Sequence, residues 1–222
     1  MIKTPDLIAS LSTNLTPVRR LRPPLMRAFG WLLLAAMVLT LLAVAQGIRP
    51  DLAQRLRDPA FASCMAASAL TGILAAVAAF LVSLPDRSRL WLMLPLPSLI
   101  LWLSNIGYQC LADWVSIGPE GIGMGEAARC FATLVLTSLP LSLALLVMLR
   151  YAAPLRPTAV TIMGSLAVAA ITATALSFFH TMDATVMILM WNIGTAVIFV
   201  GFAGTFGRTI FRWVTPRVDA PH

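Results

Sequence analysis

Two uncharged runs in the second half of the chain restrict its possible folds more than any other feature. Residues 131–149 form a run of 19 residues without a charge, and residues 159–179 form a run of 21. Each run is long enough to cross about 30 Å of hydrocarbon as an α-helix. The short connection between them carries Arg150 and Arg156, which places it in the cytoplasm by the positive-inside rule. The two runs therefore predict a membrane-spanning helical hairpin.

The composition extends this membrane interpretation to the whole chain. Hydrophobic residues make up 59% of the 222 residues and charged residues 11%, a balance that is not typical of soluble domains. A net charge of +7 is also compatible with binding to nucleic acid. However, 12 of the 16 cations lie in the termini and turns that the spans place in the cytoplasm. We therefore interpret them as topology determinants and contacts with anionic lipid, and we expect no direct nucleic-acid partner.

Further apolar segments extend the hairpin to a predicted bundle of six transmembrane helices, with both termini in the cytoplasm. The expected protein is an all-α integral membrane protein with a short N-terminal amphipathic helix. Its predicted regions are a cytoplasmic tail over residues 1–27, a transmembrane domain over 28–207 and a basic C-terminal tail over 208–222. The spans are expected at residues 28–45, 60–84, 90–112, 131–149, 159–179 and 184–207.

Small residues and prolines inside the spans predict how the helices pack. Ser68, Gly72 and Ala76 recur every fourth residue and form a small-residue stripe that lets another helix approach closely. Prolines near the start of the third span are expected to disturb its first turns, and Pro140 is expected to kink the fourth span.

The N-terminal tail contains a predicted amphipathic helix. It starts at Thr4, Pro5 and Asp6, which supply a capping hydroxyl, a proline at the first helical position and an acidic first turn. A helix of this length is marginal alone in water, so its apolar stripe needs a surface to cover it. That surface is either a groove on a soluble partner, or the membrane and the protein's own turns. The stripe consists of Leu7, Ile8, Leu11 and Leu15, and Arg19 and Arg20 follow the helix.

Catalysis has little support in the sequence. Inside the predicted spans there is no Asp, Glu, Lys or Arg, although an ionisable residue at this depth is the usual mark of an ion or proton pathway. The chain also lacks a Gly-x-Ser-x-Gly elbow and a His-Glu-x-x-His helix. We therefore expect that it is not an enzyme.

Several metal-ligating side chains are expected at similar depth near the outer surface. Thiolate, imidazole and carboxylate groups can together bind a soft or borderline divalent metal, and two of the thiols can instead form a disulfide. Cysteine is also a good small apolar filler, and these residues share no diagnostic spacing. The residues are Cys64, Cys110, Cys130, His180 and Asp183.

The order of these segments resembles the NrsF family of bacterial inner-membrane anti-sigma factors. The resemblance runs from the tail through Pro17-Val-Arg-Arg-Leu-x-Pro-Pro24, the six spans and Arg150-Tyr-Ala-Ala-Pro-Leu-Arg-Pro157 to His180-Thr-Met-Asp183. It implies that the tail captures an extracytoplasmic-function sigma factor at the membrane and releases it on a periplasmic stress signal. The other functions considered are a small six-span transporter and a membrane sensor with a different partner.

The resemblance also implies roles for individual residues. The tail residues Leu7, Ile8, Leu11, Leu15, Arg19 and Arg20 would bind the sigma factor. In the family, paired cysteines recur at the start of the fourth span and in the last outer loop. Cys130 matches the first, but His180 stands at the second, which departs from a thiol pair. Cys130, His180, Asp183 and Cys110 are thus the candidates for sensing the signal, for which a divalent metal is one possibility.

Overall fold

The computed structural model describes Thr4, Thr13 and residues 22–113, 124–149 and 157–179, with residues 107–113, 124–131 and 157 described by their backbone alone. Within these ranges the chain is helical and contains no strand. The helices are α1 (Pro24–Gln46), α2 (Leu52–Arg55), α3 (Pro59–Val82), a 3-10 turn (Arg89–Met93), α4 (Leu96–Asp113), α5 (Met124–Leu149) and α6 (Pro157–Phe179).

Five of the predicted spans correspond to helices that are long and apolar enough to cross a membrane: α1, α3, α5, α6 and the segment Arg89–Ile106. The sixth predicted span and the tail up to residue 21, apart from Thr4 and Thr13, lie outside the described residues. Thr4 and Thr13 are helical and exposed.

The helix boundaries differ from the predicted spans in two places. α1 begins at Pro24, where the missing proline N–H costs nothing in a first turn, so Arg27 lies inside the helix. α5 begins at Met124, inside the segment expected to be an outer loop. Gly47 ends α1 with φ of 77°, a left-handed conformation that favours glycine.

Helices α3 and α6 form the centre of the bundle. Over the most apolar 18 residues of each helix, 61% of α3 and 67% of α6 is buried, against 22–33% of the corresponding stretch in the other candidate spans. The two helices touch at Gly72, where an added Cβ would lie 2.8 Å from the Ile171 side chain and 3.2 Å from its backbone nitrogen. Ala75 and Ala76 are fully buried beside this contact. The predicted close approach at the small-residue stripe is therefore confirmed.

The other long helices pack around this central pair. α1 and α5 share one apolar core with α3 and α6, in which Trp31, Phe80 and Leu141 are fully buried. α4 packs through Trp102 and Ile106 on a second cluster formed with α3 and α6. Large apolar side chains on the outward faces of α1, α4 and α5 stay exposed. They include Phe29, Leu33, Leu41, Ile100, Leu103, Leu139 and Leu143.

The contacts between helices define two ends of the bundle. The end at which α1 and α6 begin and α3 and α5 finish is called the entry end, and the opposite end is called the far end. α5 continues through Pro140 as one helix. The predicted third span is divided into the 3-10 turn and α4, and the division falls just before Pro97, in the region where prolines were expected to disturb it.

The contact at Gly72 predicts a specific loss of stability. We expect Gly72→Ala to destabilise the bundle by roughly 1–3 kcal/mol, because the new Cβ forces Ile171 to move. Gly30→Ala is the matched control, since its Cβ would meet nothing closer than Met148 Cε at 3.9 Å. Thermal unfolding in detergent measures both. Equal unfolding temperatures of the two variants would contradict this contact. So would a double variant, Gly72→Ala with Ile171→Ala, whose loss of stability equals the sum of the two single losses.

Candidate functional site

The structure describes few of the residues predicted to bind a partner or a signal. The tail residues that are predicted to bind the sigma factor lie outside the described residues, and so do His180 and Asp183. Cys110 lies in α4 and Cys130 in α5, both described by their backbone alone. Within the described part of the chain, no three His, Cys, Asp or Glu side chains are grouped so that they could hold a metal ion. The tail site and the metal site stay predictions.

Cys64 is the cysteine whose side chain the structure describes. Its thiol is free and partly buried, and it packs against the cluster that contains Ala67 and Trp102. These surroundings agree with its interpretation as a small apolar filler.

Arg27 joins three helices at the entry end. It lies in the first turn of α1 and is 8% exposed. Its guanidinium donates a hydrogen bond to the carbonyl oxygen of Met148, and its central carbon lies 5.2 Å from the centre of the Phe80 ring. Met148 belongs to the last turn of α5, where carbonyl groups lack helical partners and a positive charge is favoured. Arg27 thus links the first turn of α1 to the ends of α5 and α3.

Two further side-chain hydrogen bonds connect α1 to α5. The Trp31 indole nitrogen, one turn after Arg27, donates to the carbonyl oxygen of Leu141 at 3.0 Å. At the far end the Thr133 hydroxyl donates to Gln46 Oε1 at 2.9 Å. The name α1–α5 seam is used below for these contacts together, Arg27–Met148, Trp31–Leu141 and Gln46–Thr133.

The α1–α5 seam connects the two regions to which the sequence assigns a function. α1 continues directly from the tail, and Arg27 lies three residues after Pro24 at its start. Thr133 follows Cys130 by three residues on α5. Among the described residues, α3 also makes interhelical polar contacts: Ser68 pairs with Thr174 of α6 at 3.0 Å, and Ser63 donates to Asn105 of α4 at 3.2 Å.

A second buried arginine organises the far end. The Arg49 side chain is 2% exposed and donates to both carboxylate oxygens of Asp51, at 2.8 and 2.7 Å. Its backbone N–H donates to the carbonyl oxygen of Phe178 at 3.1 Å, and its guanidinium lies 5.6 Å from the centre of the Phe61 ring. Arg49 therefore fixes the loop after α1 to the last turn of α6, two residues before His180.

The Arg49 guanidinium also sets the ionisation of its partner. Its hydrogen bonds to the carboxylate are the main cause that lowers the pKa of Asp51 to about 2, and Arg55 contributes a smaller attraction from 3.6 Å. Asp51 stays ionised over the physiological range, so the pair holds its charge-assisted hydrogen bonds there.

The sequence prediction missed both arginines as structural contacts. Arg27 was placed at the end of the cytoplasmic tail, and Arg49 in the outer loop between the first two predicted spans. The sequence does place each arginine at the edge of an apolar run, where a long side chain can turn back onto the helix ends. Which carbonyl or ring it meets depends on another helix, and Met148 lies 121 residues from Arg27.

Residues 11–213 match the NrsF family, described as negative regulator of sigma F. The chain belongs to the NrsF family. No curated protein and no solved structure matches it. The family name implies a sigma factor as the regulated partner, and a regulatory family suggests a protein that is not an enzyme. In this NrsF-family chain, the α1–α5 seam is the described contact set that begins beside the tail.

The Arg49–Asp51 pair predicts a pH-dependent stability. Because the folded-state pKa of Asp51 lies below its ordinary value of 3.8, its stabilising effect is complete above about pH 5, falls as the pH passes 3.8 and then about 2, and is lost near about pH 1. We expect Asp51→Asn to lower the unfolding temperature at pH 7, with a difference from wild type that shrinks over that window. Asp86→Asn is the control, since Asp86 is 70% exposed and 3.9 Å from Arg87. Equal unfolding temperatures of Asp51→Asn and wild type at pH 7 would contradict the role of the pair.

Proposed function

We propose that this chain is a membrane-embedded anti-sigma factor of the bacterial inner membrane. It holds an extracytoplasmic-function sigma factor through its N-terminal tail and releases it on a periplasmic stress signal, either a metal or a redox change. The observation that carries the proposal is the match of residues 11–213 to a family of negative regulators of a sigma factor.

The apolar helices support the membrane part of the proposal. Five described segments are long and apolar enough to cross a bilayer. Large apolar side chains on α1 and α5, such as Phe29, Leu33 and Leu139, remain exposed on faces that do not pack in the bundle. Lipid would cover these faces. In water they would instead form exposed apolar patches of a kind that soluble monomers rarely carry.

The tail is the proposed binding segment for the sigma factor. Leu7, Leu11 and Leu15 follow one face of a predicted helix, and such a face binds in an apolar groove of a folded partner. Arg19 and Arg20 add attraction for acidic groups or keep the connecting segment at the lipid headgroups. Because Arg27 fixes the start of α1 to α5, the tail would leave the bundle at the entry end.

The far end is the proposed sensing side. Cys130 lies three residues before Thr133, which bonds to the end of α1, and His180 lies two residues after Phe178, which bonds to Arg49. A thiolate and an imidazole together suit a borderline divalent metal, and Asp183 and Cys110 would supply further ligands. Oxidation of the Cys130 thiol is the second form of the signal.

The tail mechanism predicts the outcome of a pull-down from native membranes. Leu7→Asp, Leu11→Asp and Leu15→Asp together are expected to reduce recovery of a sigma factor by more than about tenfold, because carboxylates would enter an apolar groove. Mass spectrometry identifies the bound proteins. The matched control places three aspartates on the opposite face, at Ala9, Thr13 and Thr16, and should retain the sigma factor.

The two variants separate the possible failures of this proposal. Equal loss in both would indicate a general charge effect instead of an apolar contact. Equal recovery in both would move the binding surface away from the stripe. If the folded wild-type protein recovers no sigma factor, the proposed function is wrong, and flux measurements in liposomes should then test transport.

The six-span topology predicts where reporters are active. Green fluorescent protein fused after His222 or inserted after Arg87 should fluoresce, and alkaline phosphatase inserted after Asp51 should be active. An odd number of spans would place the C-terminus on the same side as Asp51. Active phosphatase fused after His222 would therefore contradict the sixth span.

A further inference from the structure

The acceptors of the α1–α5 seam make it sensitive to the position of α5. Two of its three contacts end on backbone carbonyl oxygens, those of Leu141 and Met148. A hydrogen bond weakens steeply when its distance and angle leave a narrow range. Sliding α5 along its axis by one residue, about 1.5 Å, would move both oxygens away from the Arg27 and Trp31 donors. Apolar side chains at the same interface tolerate such a shift better, because their attraction is not directional.

The donors of the seam belong to the helix that carries the tail. Pro23 and Pro24 precede Arg27, and their fixed φ angles make the connection from the tail into α1 stiff. The Arg27 backbone N–H donates to the Pro23 carbonyl at 3.2 Å, which extends the helical turn to this connection. A change in the first turn of α1 therefore changes the direction in which the tail leaves the bundle.

Arg27 is also held from a third side. Its guanidinium faces the fully buried Phe80 ring of α3, so it has a fixed place in the core when α5 is in the described position. If the Met148 carbonyl moves, the buried guanidinium loses its acceptor, and an unpaired charge is costly at this position. The Arg27 side chain must then move with the Met148 carbonyl oxygen or turn outward to the surface. These alternatives give the entry end two distinct arrangements.

We propose that Arg27 is a positioning residue that couples the axial position of α5 to the direction of the tail. A displacement of the far end of α5, next to Thr133 and Gln46, is transmitted along the α1–α5 seam and ends at Arg27. In biological terms the inference rests on the proposed function, since it supplies the route from the sensing side to the sigma-factor-binding tail. The physical coupling itself is a property of the bundle.

Hydrogen exchange of the full chain in nanodiscs tests the coupling through a double-mutant cycle. Thr133→Val keeps the side-chain shape and removes the hydroxyl donor to Gln46 at the far end. We expect it to raise exchange of the amides of residues 27–30 and 145–149 roughly three- to fivefold, the change expected from one lost interhelical hydrogen bond. In the Arg27→Met background, where these amides already exchange faster, Thr133→Val should add nothing.

The control removes the same charge from the same region. Arg22 is exposed and lies just before the proline pair, so Arg22→Met alone should leave exchange at residues 27–30 at the wild-type level. In the Arg22→Met background, Thr133→Val should raise that exchange as much as it does in the wild type. The proposal is overturned if the effect of Thr133→Val stops at the far end. It is also overturned if that effect at the entry end is the same in the wild-type and Arg27→Met backgrounds.

A second variant keeps the test decisive if Arg27→Met does not fold. Trp31→Phe retains an aromatic ring at the buried position and removes the indole donor to Leu141. Effects of Trp31→Phe and Thr133→Val that simply add at residues 27–30 would then overturn the coupling. Neither cycle contains a sigma factor. Failure of the pull-down would therefore refute the proposed function without touching this result, and additive exchange would refute the coupling while the anti-sigma function stands.

Discussion

The close contact between α3 and α6 is the constraint on which the rest of the bundle depends. Gly72 leaves room for Ile171, and the Ser68–Thr174 hydrogen bond lies one turn away on the same helix face. Every other described long helix packs against at least one of these two helices, and both are therefore largely buried. A bulkier residue at Gly72 would separate the surfaces on which α1, α4 and α5 rest.

The peripheral helices use this centre in different ways. Over its described side chains, α4 packs through an apolar cluster and the hydrogen bond from Ser63 to Asn105. α1 and α5 are connected by polar contacts at both ends and one turn in from the entry end, and Arg49 fixes the loop after α1 to α6. Among the described helices, α1, which follows the tail in the chain, is thus held by directional contacts at both ends.

Much of this architecture could be predicted from the sequence, because length and hydropathy determine which segments can cross a bilayer. The described apolar runs and the stripe at Gly72 are examples. The buried arginines could not be predicted, since the contacts of Arg27 with Met148 and Phe80 exist only after distant helices pack. The start of α5 was also missed, because glycines made the preceding segment resemble a loop. The roles of Leu7 and Cys130 still rest on sequence pattern and family membership.

The most direct test of the account is flotation of a purified sigma factor with proteoliposomes that contain the full chain. A synthetic peptide of residues 1–27 is added as a competitor, beside a peptide with Leu7, Leu11 and Leu15 replaced by aspartate. The account predicts that the sigma factor floats with the proteoliposomes and that the native peptide alone displaces it. A sigma factor that floats but resists saturating native peptide, or that never floats, would contradict capture through the tail.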